Sequence, residues 1–302
     1  NALDKEAAAL APLDLDAARA LWRRAGERYA QALTLKPDHH KAANNWGNAL
    51  AQEAAFLANL DLNAAHELWQ QAGERFAQAL TIRSDDHKAA YNWALALSKE
   101  ADACSRPEPD AARALWRQGD ERFAQAVTIM PDDYNAVHDW GLLLSKEATA
   151  LAHLDIDAAR TLWRKAGERF AKALTLNPDR HEAAFSWGAA LDGEAIVLAP
   201  LDLHAARDLW RQAGECYAQA LAIKPEYHEA NNNRAAALVH ESQAIKDSVP
   251  DEANALLAEA ERILLQAEIG APGSAAYNLA CVAALSGKVD DCISWLTASR
   301  TA

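Results

Sequence analysis

Six glutamates, Glu6, Glu53, Glu100, Glu147, Glu194 and Glu241, stand at a constant interval of 47 residues, and four histidines, His40, His87, His181 and His228, keep the same phase as one another. Repeated carboxylates are the raw material of acid–base chemistry, and repeated imidazoles that of metal binding. Neither reading survives the spacing. No nucleophile or base accompanies the glutamates in register, and metal ligands must converge within a few ångströms, whereas a 47-residue period deals the histidines out one per structural unit. The recurring glycines, Gly26, Gly73, Gly167 and Gly214 in one series and Gly47, Gly141 and Gly188 in another, lack the strand-to-helix turn and Lys-Ser/Thr ending of a phosphate loop. The residue types thus predict no catalytic residue, no cofactor and no metal. The protein is expected not to be an enzyme.

The period itself is the stronger signal. Trp22, Trp69, Trp116, Trp163 and Trp210 are each 47 residues apart, and so are Trp46, Trp93, Trp140 and Trp187, with Arg234 in the fifth place of that second series. Arg234 therefore predicts changed packing or a local site near the C-terminal end. The other tryptophans, and the aromatic series Tyr29, Phe76, Phe123, Phe170 and Tyr217, are expected to be interhelical core. Such self-similarity marks a solenoid whose units bury their apolar faces on their neighbours.

Each period contains two helical patterns. In the second, Leu68, Trp69, Ala72, Phe76, Ala79 and Leu80 recur at three- and four-residue steps and form one apolar face. This helix stops at Pro37, Pro131, Pro178 and Pro225 in the sister copies. The first follows a Pro-Asp turn, with Asp38 the expected N-cap. Turns between the two are predicted near 60, 107, 154 and 201, Pro107 and Pro109 stiffening one of them. If Gly47 packs on Ala72, then Glu53 faces residue 66 across its own hairpin. That pairing predicts a Glu–Arg ladder, whose cationic side would be Arg19, His66, Arg113, Arg160 and Arg207, with Asn254 the sixth member.

The stretch from Ala25 through Tyr29, Ala32, Leu33 and Leu35 to Pro37 resembles the second helix of a tetratricopeptide (TPR) repeat, and NNWGNAL (44–50) resembles the first. The family repeat has about 34 residues, so these units read as elongated TPR-like hairpins. YNLACVAALSGKVDDCISWL (277–296) returns to the short spacing, with Gly287 at its tight turn. The resemblance implies an all-α fold, a right-handed α-solenoid of antiparallel helix pairs. Its expected divisions are a truncated unit at 1–36, 47-residue units at 37–83, 84–130, 131–177 and 178–224, a divergent unit at 225–271, and a short hairpin at 272–302. The chain opens inside a repeat and its one methionine is Met130, which suggests a segment of a longer chain.

The resemblance also implies a function. TPR arrays hold partners on the concave face of their first helices, and the inward positions here are Asn45, Asn92, Asp139, Ser186 and Asn233, beside Asn44, Tyr91, His138, Phe185 and Asn232. Asparagine can donate to and accept from a peptide backbone whatever its sequence. The expectation is a non-catalytic protein-interaction scaffold that binds a protein, a peptide or other domains of its parent chain. A chaperone adaptor gripping an acidic tail is the alternative. The clamp positions matching that reading include Asn44, Asn48, Asn92, Asn135 and Asp139, which lack its cations.

A helical-repeat RNA binder is a further alternative. A formal charge of −13 and a pI of about 5.2 argue against nucleic acid. No apolar run is long enough to span a membrane. Four cysteines without a CxxC pair point to a reduced, cytoplasmic chain. Stability should be spread along the array and weakest at its ends. Amide hydrogen exchange is expected to protect residues 62–225 best; protection that stays uniform through residue 300 would contradict an array of nearest-neighbour units.

Overall fold

The computed structural model describes residues 2–300, and among these it contains fourteen α-helices and no strand. In order they are α1 (Ala2–Leu10), α2 (Leu15–Leu35), α3 (His40–Leu57), α4 (Leu62–Ile82), α5 (His87–Cys104), α6 (Pro109–Ile129), α7 (Tyr134–Leu151), α8 (Ile156–Leu176), α9 (His181–Leu198), α10 (Leu203–Ile223), α11 (His228–Ile245), α12 (Pro250–Gly270), α13 (Ala276–Leu285) and α14 (Val289–Ser299). From α2 to α12 the helices alternate between 21 and 18 residues without exception.

Helix ends follow from local chemistry. Asp14, Asp61, Asp155 and Asp202 are N-caps whose carboxylates accept from the backbone N–H three residues on, at 2.9–3.0 Å. Glu108 and Val249 occupy the same place at α6 and α12 and make no cap bond. There Pro109 and Pro250 stand at the first helical position, where a fixed φ favours the helix and the missing N–H costs nothing. The expected cap at Asp38 is corrected: α3 begins at His40, so its N-cap is His39, which makes no side-chain cap bond.

The buried stripe of a 21-residue helix is Ala65, Trp69, Ala72, Phe76 and Ala79 in α4, each exposed by 3 % or less. Full burial of a large side chain contributes about 1.5–3 kcal/mol, so two aromatics per helix dominate its docking. In α12 the tryptophan and tyrosine positions become Leu257 and Leu264, flanked by Ala253, Ala260 and Ala267, and all five are buried. The divergent unit keeps the stripe with smaller contents.

The helices gather into two compact units, one running to Glu147 and the other starting at Ala148. Within each, consecutive helices pack on one another as all-α solenoid segments. First helices also touch their like: α3 lies beside α5, and α11 beside both α9 and α13. Neither α2, α4 and α6 nor α8, α10 and α12 make comparable contacts among themselves. The first helices thus form the layer through which successive hairpins touch like to like.

Glycines set the spacing. A Cβ on Gly47 would lie 2.8 Å from the Phe76 ring, and one on Gly188 2.8 Å from the Tyr217 ring. Phe76 and Tyr217 are fully buried and have no room to retreat. By contrast, a Cβ on Gly214 would meet nothing within 4 Å. Gly47→Ala and Gly188→Ala should each destabilise by about 1–3 kcal/mol through overpacking, while Gly214→Ala should stabilise by about 1 kcal/mol from helix propensity alone. Urea midpoints would check both signs, and a raised midpoint for Gly47→Ala would show that the ring can yield.

Candidate partner-binding surface

The first helices carry the expected contact residues. Asn45 is exposed on α3 and, with Asn48 and Gln52, faces Asp4 and Lys5 of α1 across a groove of about 240 Å³. Its neighbour Asn44 is buried. The Asn92 amide donates to Asn44 Oδ1 at 3.0 Å, and Asn44 Nδ2 donates to Asn45 Oδ1 at 3.4 Å. One repeat on, the Tyr91 hydroxyl donates to Asp139 Oδ2 at 2.7 Å, and His138 Nδ1 lies 3.0 Å from Asp139 Oδ1. The two expected contact series therefore bond to each other across successive first helices, α3 to α5 and α5 to α7. Burial, and then the hydrogen bond to Asp139, raise the Tyr91 pKa well above its ordinary value, so this phenol stays a donor.

In the second unit the same positions are more apolar. Phe185 on α9 packs against Tyr217 and Tyr227, with ring centroids 5.8 and 4.9 Å away, and Ser186 beside it is half-buried. On α11, Asn232 donates to the Ser274 carbonyl at 2.9 Å, and Asn233 is half-buried.

The Glu–Arg ladder exists, but it joins different helices from those expected. Arg19 Nε reaches Glu53 at 3.0 Å, His66 Nδ1 reaches Glu100 at 2.8 Å, Arg160 Nε reaches Glu194 at 3.3 Å, and Arg207 Nε reaches Glu241 at 2.8 Å. Each bond spans 34 residues, from the second helix of one hairpin to the first helix of the next. The reason is register. Gly47 faces Phe76 and not Ala72, one turn away from the expected pairing, whereas Gly26 faces Trp46. Two turns along each helix from that second contact, Arg19 meets Glu53.

A second set of rungs was invisible in the histidines alone. His40 Nδ1 lies 2.6 Å from Asp86 Oδ2, and His87 Nε2 lies 2.8 Å from Asp133 Oδ2. The same aspartates cap α5 and α7 through their other oxygens. The available signal was the acid immediately before each of His87 and Tyr134. It gives way to Arg180 and Tyr227 later in the chain, where His181 packs edge-on against the Tyr227 ring at 4.5 Å instead.

The chemistry of these groups is structural. Among the described residues no three of His, Cys, Asp or Glu gather as metal ligands do. Burial pushes the Cys104 and Cys216 thiols up to about 11, so both stay protonated at neutral pH. No described helix is long and apolar enough to cross a membrane. Repeated pairs of antiparallel helices, close-packed through their first members, define the class: a TPR-like all-α solenoid.

No family model matches the chain, and no curated protein matches it. Among solved structures it is similar to MamA, at 14 % identity and a TM-score of 0.44, over 72 % of this chain and 96 % of that one. It is similar to YrrB, described as a TPR protein with an unusual peptide-binding site, at 18 % identity and 0.42, over 79 % and 93 %. PilF of Pseudomonas aeruginosa is similar at 16 % identity and 0.45, over 84 % and 93 %.

The rungs have a pH signature. Burial raises the Glu194 and Glu100 pKa values above the ordinary 4.5, outweighing the opposing pull of Arg160 and His66. A carboxyl whose folded pKa exceeds its unfolded one holds its proton longer when folded. Its contribution is then lost as pH rises from about 4.5 through the raised value. Glu194→Gln should flatten that part of the stability–pH curve and change the unfolding free energy at pH 7 by less than about 1 kcal/mol. Chemical denaturation at several pH values would check it; an unchanged slope would mean that Glu194 does not titrate differently on folding.

Proposed function

We propose that this protein is a non-catalytic interaction scaffold that binds an extended peptide segment of a protein partner along its first helices, in the cytoplasm and as part of a larger chain or complex. The observation that supports the reading most directly is the close side-by-side packing of first helices within each unit. It turns one polar position per repeat into a line on the first-helix side. Asn45 offers an exposed amide beside the α1–α3 groove. Asn92 and Asp139 continue the line in the first unit, and Ser186 and Asn233 are its counterpart in the second. The neighbouring positions Tyr91, His138, Phe185 and Asn232 vary enough to supply specificity, while Asn44, buried, serves as a rung.

The rungs within this line also serve binding. Asn44 holds the Asn92 amide, and Tyr91 holds Asp139, so these groups are oriented before a partner arrives and lose little rotamer freedom on contact. The protonated thiols of Cys104 and Cys216 and the pairing of the ladder carboxylates support the non-catalytic reading. The four free cysteines suit a reducing compartment.

The test uses peptides selected by the wild-type array from a random displayed library. Replacing Asn45, Asn92 and Asn233 together by alanine should weaken their binding at least tenfold while leaving helical content unchanged. Equal binding by the folded triple variant would move the site elsewhere.

A further inference from the structure

The fifth unit lacks the indole that its sisters carry at this position. Trp46 sits against Gly26, Trp93 against Gly73 and Trp187 against Gly167, with the indole nitrogen 3.0–3.4 Å from where a Cβ would stand. In the remaining sister the glycine is Asp120, and the Trp140 indole N–H donates to its carboxylate at 2.6 Å. At the equivalent place on α10 and α11 the pair is Gly214 and Arg234. Nothing lies within 4 Å of a Cβ on Gly214. The open place over Gly214 adjoins a cavity of about 510 Å³ lined by Trp210, Ala237, Leu238 and Arg234, the counterpart of a cavity of about 690 Å³ one unit earlier, where Trp187 is part of the lining and stands over Gly167.

Of the arginines that line this cavity, one holds no ion pair among the described residues. Asp208 and Glu215 are held by Arg211 at 3.6 and 3.0 Å, Glu241 by Arg207 at 2.8 Å, and Glu259 by Arg262 at 2.6 Å. Every lining carboxylate thus belongs to another arginine. Arg234 makes no hydrogen bond or ion pair among the described residues, and Glu259 acts on it only at longer range. A seat shaped for an indole, with an uncommitted guanidinium at its rim, describes its own occupant.

We propose that the Gly214–Arg234 notch is a second binding site, which takes a tryptophan side chain of a polypeptide partner with an acidic residue next to it in sequence. The ring occupies the place that Trp187 fills over Gly167, and the acidic carboxylate pairs with Arg234. The rim leaves the guanidinium free for a charge-assisted bond, and the apolar floor supplies the area that an aromatic anchor buries. This site lies between α10 and α11 and shares no residue with the first-helix line. A protein that binds selected peptides on its first helices yet ignores the probe below would refute this inference alone.

The probe is N-acetyl-Gly-(5-fluorotryptophan)-Glu-Gly-amide, followed by fluorine NMR and calorimetry against the full chain. Saturable one-site binding is expected, weakened about tenfold when the probe's Glu is replaced by Gln, and lost when its aromatic residue is replaced by Ala. Arg234→Trp, which rebuilds the indole-over-glycine contact of the sister units, should fold with a higher melting temperature and no longer bind. Gly214→Leu should block the notch independently. Arg234→Gln should bind the Glu and Gln probes equally. Absence of binding to the wild type, or unchanged binding by folded Arg234→Trp, would overturn the proposal. So would 5-fluoroindole-3-acetate binding as tightly as the peptide, since that would assign the seat to a small aryl carboxylate.

Discussion

The contact on which the rest of this structure depends is an aromatic ring pressed onto a helix backbone. Within a hairpin the ring comes from the second helix and lands on a glycine of the first, as Phe76 does on Gly47 and Tyr217 on Gly188. Between hairpins the direction reverses, and an indole of the next first helix lands on a glycine of the preceding second helix, as Trp46 does on Gly26. Mid-helix glycine costs about 1 kcal/mol relative to alanine. Here that cost is offset by the close approach of two large buried side chains per helix. With both contacts in place, each helix is held in register against the neighbour before it and the neighbour after it.

Polar rungs then occupy what the rings have positioned. The Arg–Glu pairs, the His–Asp pairs and the Asn44–Asn92 and Tyr91–Asp139 bonds all join one hairpin to the next. The arginines of these pairs are 35–47 % exposed, so solvent screens them and each such pair contributes little stability by itself. Their effect is on specificity. Each glutamate is mostly buried, and a slip of one turn would leave it without a partner, which is the expensive outcome for a desolvated charge. The ring-on-glycine contacts set the register, and the rungs penalise a slip from it.

The same construction bears on the two proposed binding sites. Positions that serve stacking in every unit are occupied by the chain itself. Room for another molecule arises where the series is varied or broken. Asn45 is exposed at the α1–α3 groove while its neighbour Asn44 is consumed as a rung, and Arg234 leaves a seat that Trp187 fills one unit earlier. In an array this repetitive, departures from the repeat carry more functional information than the repeat does.

Read from sequence, the helices, their phases and their turns were all legible, because each is a local property. Three- and four-residue spacing sets the buried stripe of α4, proline stops α2, and an aspartate at a fixed distance from the stripe caps α4, α8 and α10. The recurrence of Glu53 and Arg19 also showed that acids and cations would meet. Which ones meet was decided only by tertiary packing. Every internal helix has two antiparallel neighbours, and a strict repeat places an equivalent cation on both, so periodicity cannot choose between them. The choice fell to whether Gly47 meets Ala72 or Phe76, a shift of one turn that depends on ring volume rather than pattern. For the same reason the polar line on the first helices was readable as a line, while the burial of Asn44 and the exposure of Asn45 were not. Two adjacent residues of one type differ only in the direction they face, and the packed neighbour sets that direction.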